Sequence, residues 1–202
     1  GVRIELPPDR IGRCIDEVGI GFLHAPLLHD AMKYVALARR QMGIRTIFNM
    51  LGPLTNPAGA NIQVVGVYAT HLTELLARVL GELGSTRALV VHGSDGLDEI
   101  TITAESKITE LRNGELSTYT VAPEDFGLER ATLGEIQGGD AHQNSQIILE
   151  VLRGERGARR DIVLLNAAAA FVASSKAVDL TEGIGVAAQS IDRQRQPSLC
   201  CV

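Results

Sequence analysis

Hydrophobic and polar residues follow two different spacings in the middle of the chain. Apolar runs occur within 62–68 (V-V-G-V-Y) and within 87–92 (A-L-V-V), and runs of this kind are typical of strands that are covered on both faces. Between them, residues 73–83 place apolar side chains three and four positions apart, which is the spacing of one helix face. A strand, a helix and a strand of these lengths predict a right-handed βαβ unit with parallel strands.

The pattern changes to alternating residues in the segment that follows. Asn113-Gly114 stands between two alternating runs, and this dipeptide favours a tight turn between antiparallel strands. We therefore predict a β-hairpin insertion near 101–121.

Further helices are predicted elsewhere, together with one short apolar strand at 19–23. The helical segments are 9–18, 31–42, 141–153, 160–173 and 180–191. The segment at 160–173 is apolar nearly all round, so we expect it to be buried, and Asn166 within it must then find a hydrogen-bond partner.

The charged run at 153–160 is predicted to be a solvated connector, and Gly138-Gly139-Asp140 is predicted to be a helix cap. No internal repeat divides the chain, and we predict a single α/β domain over residues 1–202.

The stretch at 29–57 combines a helix with a segment rich in helix breakers. Residues 46–48 favour a short strand. The helix breakers Gly52-Pro53 and Asn56-Pro57 follow within nine residues. We expect these breakers to prevent a regular element and to form a stiff loop, where a ligand can meet ordered backbone groups.

Charge and cysteine content exclude several classes of protein. The formal net charge of −5 argues against a general nucleic-acid or membrane-surface partner. Three cysteines, two of them adjacent at residues 200 and 201, form neither a disulfide framework nor a metal knuckle. No apolar run approaches the roughly 18–20 residues of a membrane span, and we predict a cytoplasmic protein.

Two polar features could carry chemistry. Asp98-Glu99 follows a buried strand and a glycine-rich loop, and paired carboxylates can hold a divalent cation such as Mg²⁺. The same pair could equally be a solvated surface feature. Arg39 could pair with a carboxylate of a ligand, or it could be an ordinary solvated helix residue.

Residues 29–57, with Arg39-Arg40 and Gly52-Pro53, closely resemble the corresponding segment of the anthranilate phosphoribosyltransferases. The resemblance extends from about residue 11 to residue 192. It implies the large α/β domain of the nucleoside phosphorylase-like fold, with a mostly parallel sheet flanked by helices. It also implies transfer of a phosphoribosyl group from phosphoribosyl pyrophosphate to anthranilate, a step of tryptophan biosynthesis, in a protein that forms a homodimer.

The resemblance also implies roles for individual residues. Arg39 is expected to bind anthranilate, and His29, Gly52 and Pro53 are expected to form the side of the anthranilate channel. Met32 belongs either to the core or to the lining of this pocket. Asp98 and Glu99, in a D-G-x-D-E arrangement, are the expected Mg²⁺ ligands. No side chain is expected to act as a general base.

The family's G-T-G-G-D and K-H-G-N-R segments do not occur in this chain. We therefore expect an upstream helical domain and the phosphate-binding loop to be absent, the ends at 1–8 and 193–202 to be atypical, and the chain alone to lack most contacts with phosphate. Two alternatives stay open: a related phosphorylase or transferase that acts on another base, and a non-catalytic fragment or relative.

Overall fold

The computed structural model describes residues 3–24, Leu28, Gln41 and 48–193. The chain divides into two compact units, Gly1–Ala60 and Asn61–Val202. This division does not test the prediction that residues 1–202 form a single domain, and it stays a prediction.

The first unit contains helices α1 (Pro8–Val18) and α2 (Phe48–Leu54). Pro8 occupies the start of α1, where no backbone N–H is needed, and Gly19 ends the helix with a φ of 87°. Residues 20–24 form no strand, so the strand predicted at 19–23 is wrong. The left-handed turn at Gly19 redirects the chain, and an apolar run becomes a strand only where a partner strand lies beside it.

Helix α2 corrects the prediction of an irregular loop from residue 49 onwards. Pro53 lies inside α2, because proline has a φ close to that of a helix and here the helix ends one residue later. The Thr55 hydroxyl donates to the Leu51 carbonyl at 2.8 Å, which satisfies a carbonyl in the last turn. The strand predicted at 46–48 falls partly outside the described residues, and Phe48 belongs to α2 instead.

The second unit contains one sheet and the helices that cover it. Its elements are β1 (Ile62–Gly66), α3 (Leu72–Glu82), β2 (Arg87–Gly93), β3 (Ser106–Arg112), β4 (Glu115–Val121), a 3₁₀ helix (Pro123–Phe126), α4 (Leu133–Ile136), α5 (Ala141–Leu152), α6 (Ala158–Ala173) and α7 (Leu180–Arg193). The α/β class, the βαβ unit, the hairpin and the sheet flanked by helices are all confirmed.

The four described strands lie in the order β1-β2-β3-β4. β1 and β2 are parallel, with Ile62 opposite Arg87, whereas β2 with β3 and β3 with β4 are antiparallel. Asn113 and Gly114 both have positive φ, at 51° and 88°, as a tight hairpin turn requires. The hairpin adds its strands to the sheet through β2, and for this reason the described sheet is mixed and not mostly parallel.

The main core lies between the sheet and α6. Leu89 and Val91 of β2 are almost fully buried against Leu165 and Ala169 of α6. Successive strand residues point to opposite faces, so Ala88 and Val90 face the other side, where α3 contacts β2 and β3. The alanine-rich helix is therefore central, as predicted.

Arg160 corrects the prediction of a solvated connector at 153–160. Its side chain is only 9% exposed, and it forms an ion pair with Asp192 of α7 at 2.9 Å. The residue lies in the first turn of α6, so its aliphatic stem is covered while its charged end reaches a carboxylate.

Candidate functional site

The candidate site is built around the connection between β2 and β3, which we call the acidic loop (residues 94–105). Backbone hydrogen bonds fold it tightly: the Gly93 N–H donates to the Leu97 carbonyl at 2.8 Å, and the Ser94 N–H donates to the Glu105 carbonyl at 2.8 Å. Gly96 has a φ of 97°, a conformation that glycine adopts without steric cost. The loop is therefore an ordered structure.

Asp95 uses its carboxylate to hold this loop together. The Thr101 hydroxyl donates to Asp95 Oδ2 at 2.6 Å, the Thr103 hydroxyl donates to the same oxygen, and the Leu97 N–H donates to Oδ1 at 3.1 Å. Burial of the Asp95 carboxylate raises its pKa, but these hydrogen bonds together outweigh that effect and hold the pKa below its ordinary value of 3.8. Asp95 therefore stabilises the loop, and both of its carboxylate oxygens already accept hydrogen bonds.

The acidic loop passes directly over strand β1. A Cβ atom added to Gly66 would lie 1.6 Å from the carbonyl oxygen of Asp98, a distance that no pair of non-bonded atoms allows. Only glycine at the end of β1 lets the backbone of Asp98 approach so closely. This approach places the acidic pair at the carboxyl ends of the parallel strands β1 and β2, where open α/β sheets bind ligands.

Asn166 of α6 also holds the loop, through the residue that follows Glu99. Its Oδ1 accepts from the Ile100 N–H at 3.0 Å, and its Nδ2 donates to the Ile100 carbonyl at 2.8 Å. Nδ2 also donates to the Ile162 carbonyl, one helical turn earlier, at 3.0 Å. The expected partner of Asn166 is therefore the backbone of the residue next to Glu99.

Asp98 and Glu99 border an open cleft of about 380 Å³. The cleft is lined by Val64, Gly66, Val91, Asp98, Glu99, Ile162, Val163 and Asn166. None of these lining residues is cationic, so the two carboxylates give the cleft a negative charge.

The environment of Glu99 shows the effect of this charge. The residue is exposed at the surface, yet partial burial of its carboxylate, and secondly the negative charge of Asp98, raise the pKa of Glu99 above its ordinary value of 4.5. A cation between the two carboxylates would remove the repulsion that contributes to this shift. The donor set therefore fits a hard divalent cation.

The described residues contain no group of three or more His, Cys, Asp or Glu side chains placed to hold a metal. A carboxylate pair is nevertheless the type of protein contribution that Mg²⁺ uses, since this ion keeps several waters and takes its other ligands from substrate phosphates. The pair by itself therefore offers only part of the ligand set of such an ion.

The other predicted site residues belong to the first unit. His29, Met32 and Arg39 lie outside the described residues. Gly52 and Pro53 lie in α2, where Gly52 is exposed and an added Cβ would meet no atom of another described segment within 4 Å. A role of these five residues in substrate binding stays a prediction.

Two residues that position the acidic pair were not predicted as part of the site. Gly66 interrupts an apolar strand, and a glycine there often marks the close approach of another backbone. Asn166 was predicted to need a partner, but the sequence does not show which backbone it contacts. Both signals were present in the sequence, but neither identified the acidic loop as the neighbour.

Two further predictions concern polar residues away from the cleft. His92 is buried, with Nδ1 2.7 Å from the Val67 carbonyl oxygen, in agreement with a structural role. Asp140 caps α5, and its Oδ1 accepts from the Gln143 N–H at 2.8 Å. The prediction of a helix cap at Gly138-Gly139-Asp140 is therefore confirmed.

Within the part of the chain that the structure describes, no helix has both the length and the apolar character needed to cross a membrane.

A protein family and a curated relative each match nearly the whole of this chain. The family described as "Glycosyl transferase family, a/b domain" matches residues 1–194. An anthranilate phosphoribosyltransferase of Symbiobacterium thermophilum is 58% identical over 192 residues, which are 95% of this chain and 56% of that relative. The chain thus spans little more than half the length of this curated relative.

Solved structures agree with this match. The crystal structure of anthranilate phosphoribosyltransferase from Thermus thermophilus has a TM-score of 0.89 and 41% identity, and the match covers 96% of this chain and 58% of that one. The Saccharomyces cerevisiae enzyme in complex with 4-fluoroanthranilate has a TM-score of 0.86 and 28% identity, with 95% and 56% covered. The same yeast enzyme in complex with PRPP and Mg has a TM-score of 0.79 and 30% identity, with 87% and 51% covered.

Proposed function

We propose that this chain, which belongs to the glycosyl transferase family through its a/b domain, serves the transfer of phosphoribosyl from phosphoribosyl pyrophosphate to anthranilate. In this reaction the amino nitrogen of anthranilate forms a bond to C1 of the ribose. The bond from C1 to the pyrophosphate oxygen breaks, and its electron pair leaves with pyrophosphate. The amine proton passes to solvent. The products are N-(5-phosphoribosyl)anthranilate and pyrophosphate, within tryptophan biosynthesis.

The observation that carries this proposal is the acidic pair at the carboxyl ends of the parallel strands. Gly66 and Asn166 hold its backbone from two sides, and the cleft beside it is open and negatively charged. A cleft of this charge would repel a bare pyrophosphate, so it suits this substrate only together with a cation. The yeast relative was solved with PRPP and Mg, which supports that combination.

Mg²⁺ is the proposed cofactor, and Asp98 and Glu99 are its proposed ligands. When bound, the ion supplies positive charge that neutralises the pyrophosphate as it leaves. The two side chains would hold the ion through carboxylate oxygens, which the ordered loop keeps at one edge of the cleft. Positioning of this kind lowers the barrier without a proton-transferring side chain, and we propose no catalytic base.

Arg39 is the proposed partner of the anthranilate carboxylate. A guanidinium group can donate two parallel hydrogen bonds to a carboxylate, which fixes the orientation of the ring as well as its position. The residues proposed to shape the channel beside it are His29, Met32, Gly52 and Pro53. These five assignments rest on the family resemblance, and the yeast relative solved with 4-fluoroanthranilate supports the class of ligand.

We further propose that the chain supplies the large α/β domain of an enzyme whose remaining part lies in the portion of the relatives that it does not span. That portion would contribute the loop that binds phosphate through backbone N–H groups. A homodimer and a cytoplasmic location are also predictions from the family; light scattering on the purified protein and fractionation of the source cells test them.

The proposed function is tested by following the loss of anthranilate fluorescence in the presence of phosphoribosyl pyrophosphate and Mg²⁺. The assay uses the 202-residue chain and a chimera in which residues 1–192 replace the matching part of the Symbiobacterium relative. We expect the chimera to turn over anthranilate and to need Mg²⁺. E99Q should reduce its turnover at low Mg²⁺, because one oxygen ligand loses its charge.

The matched control is E105Q, which removes a negative charge from an exposed position in the same loop, outside the residues that line the cleft. E105Q should leave the Mg²⁺ dependence unchanged. A folded chimera without turnover would contradict the proposed reaction, and equal effects of E99Q and E105Q would contradict the proposed metal ligands.

A further inference from the structure

We infer that Asn166 is a positioning residue for the acidic pair, so that its side-chain amide sets the affinity of the cleft for a divalent cation. This inference rests on the proposed function, which assigns a cation to Asp98 and Glu99. Asn166 itself would not bind the cation, since its oxygen and its nitrogen already bond to backbone groups.

The hydrogen-bond pattern fixes the amide in one orientation. The oxygen faces the Ile100 N–H at 3.0 Å, and the nitrogen faces two carbonyl oxygens, those of Ile100 and Ile162, at 2.8 Å and 3.0 Å. The reverse orientation would place donor against donor and acceptor against acceptor. Asn166 therefore pairs with Ile100 as a neighbouring strand would, through both backbone groups of a loop residue.

The acidic pair is fixed between two backbone anchors. On one side, the carbonyl of Asp98 lies against Gly66, with no room for a side chain there. On the other side, the amide and the carbonyl of Ile100 are held by Asn166, and the Ile100 side chain is fully buried in the core. Glu99 lies between these anchors, so the directions in which both carboxylates leave the backbone are determined.

The position of Asn166 links this arrangement to the most deeply packed helix of the unit. Its neighbour Leu165 is fully buried against the sheet, so α6 cannot shift without disturbing the core. A metal site gains affinity when its ligands are already in place, because the cation then does not have to order them. Asn166 transfers the rigidity of α6 to the loop that carries the ligands.

A purely structural role would predict a different result. The loop is also held by Asp95, which accepts from Thr101, Thr103 and the Leu97 N–H. If these contacts alone fix the acidic pair, loss of Asn166 would lower the stability of the protein and leave the affinity for a cation unchanged. The distinguishing measurement is therefore cation affinity at matched stability.

The test uses Mn²⁺, which favours the same carboxylate and water ligands as Mg²⁺ and is followed by electron paramagnetic resonance. The parent chain, N166L and L164A are titrated with Mn²⁺ in the presence and absence of pyrophosphate. N166L removes all three hydrogen bonds and keeps the number and branching of the side-chain heavy atoms. We expect its dissociation constant for Mn²⁺ to rise by about 10- to 100-fold, the range known for residues that orient metal ligands.

L164A is the matched control, because Leu164 lies in the same helix but packs in a different cluster, with Val151, Ala187 and Ile191. It should lower the unfolding midpoint and leave Mn²⁺ affinity within about twofold of the parent, because it removes apolar packing and no contact to the acidic loop. N166A is studied in parallel, so that a failure to accommodate leucine does not decide the result. Amide hydrogen exchange at Ile100 should accelerate in both Asn166 variants and not in L164A.

The outcomes separate this inference from the proposed function. Parent-like Mn²⁺ affinity in folded N166L or N166A would overturn the positioning role and leave the metal site intact. If the parent chain shows no Mn²⁺ binding that D98N removes, the proposed metal site fails, and the inference fails with it. In the active chimera, N166L should raise the Mg²⁺ concentration for half-maximal activity and leave the KM for anthranilate unchanged.

Discussion

Three acidic residues lie close together in the acidic loop, and their surroundings give them different roles. Asp95 accepts hydrogen bonds from two hydroxyls and a backbone N–H, whereas the carboxylates of Asp98 and Glu99 border the open cleft. The metal-binding role of the pair was predicted from the family resemblance, which includes the D-G-x-D-E arrangement. This arrangement could not show the role of Asp95, because the two threonines that it accepts from lie six and eight residues later in the chain.

The ionised Asp95 carboxylate should stabilise the fold, and this stabilisation should be lost at acid pH. Since its pKa is lowered in the folded state, the stabilisation is fully present above the ordinary pKa of 3.8 and is lost as the pH falls through the lowered value. At neutral pH, D95N should be less stable by about 1–2 kcal/mol, because a charged acceptor is lost from these hydrogen bonds.

The measurement is urea unfolding of the parent, D95N and the exposed-site control D16N, between about pH 7 and pH 2.5. The difference in unfolding free energy between the parent and D95N should shrink below about pH 4, in the range of the aspartate pKa. D16N should follow the parent throughout. A constant difference across this range would show that the charge of Asp95 is not what holds the loop.

At the scale of the elements, patterns that depend on local sequence were predicted well. The parallel pair β1 and β2, the hairpin β3 and β4 and the buried helix α6 follow from apolar spacing and one Asn-Gly turn. The predictions that failed concern residues whose state is set by distant partners. The strand at 19–23 has no partner strand among the described residues, and Arg160 is buried because α7 brings Asp192 to it.

The packing of α6 against α7 depends on one small residue. A Cβ added to Gly183 would lie 2.8 Å from the Cβ of Ala168 and 2.9 Å from its carbonyl oxygen, whereas one added to Gly185 meets no atom of another described segment within 4 Å. Both glycines lie inside α7. They therefore form a matched pair in one helix.

G183A should destabilise the protein by about 1–3 kcal/mol, because the two helices must separate to admit a methyl group. G185A should stabilise it by about 0.5–1 kcal/mol, because alanine loses less conformational entropy in a helix than glycine does. Chemical denaturation of the two variants beside the parent measures both values. Equal changes of the same sign would contradict the close contact between Ala168 of α6 and Gly183 of α7.

At the scale of the whole molecule, the structure describes the surroundings of the proposed metal ligands more fully than those of the proposed anthranilate contacts. The acidic pair is now placed on a rigid loop with identified supports. The residues expected to contact anthranilate lie in the first unit, and His29, Met32 and Arg39 among them fall outside the described residues. Resemblance identified Arg39 by its position in an Arg-Arg pair. The chemistry of a guanidinium explains why such a residue would select a substrate that carries a carboxylate.

A comparison of two acceptors tests this selectivity in the active chimera. Aniline presents the same amino group as anthranilate and lacks the carboxylate, so the parent chimera should have a far higher kcat/KM for anthranilate. R39A should reduce this preference by about 10- to 100-fold, which corresponds to the loss of a charged hydrogen-bonded pair of about 1.5–3 kcal/mol.

R40A is the matched control for this comparison, since it removes the adjacent guanidinium and should keep the preference of the parent. The informative quantity is the ratio of the two kcat/KM values, because a general loss of folded enzyme lowers both and leaves the ratio unchanged. If R39A lowers both values equally, Arg39 does not contact the carboxylate. If the parent chimera prefers a nucleobase to both acceptors, the chain belongs to an enzyme that acts on another base, and the carboxylate-binding role of Arg39 is excluded with it.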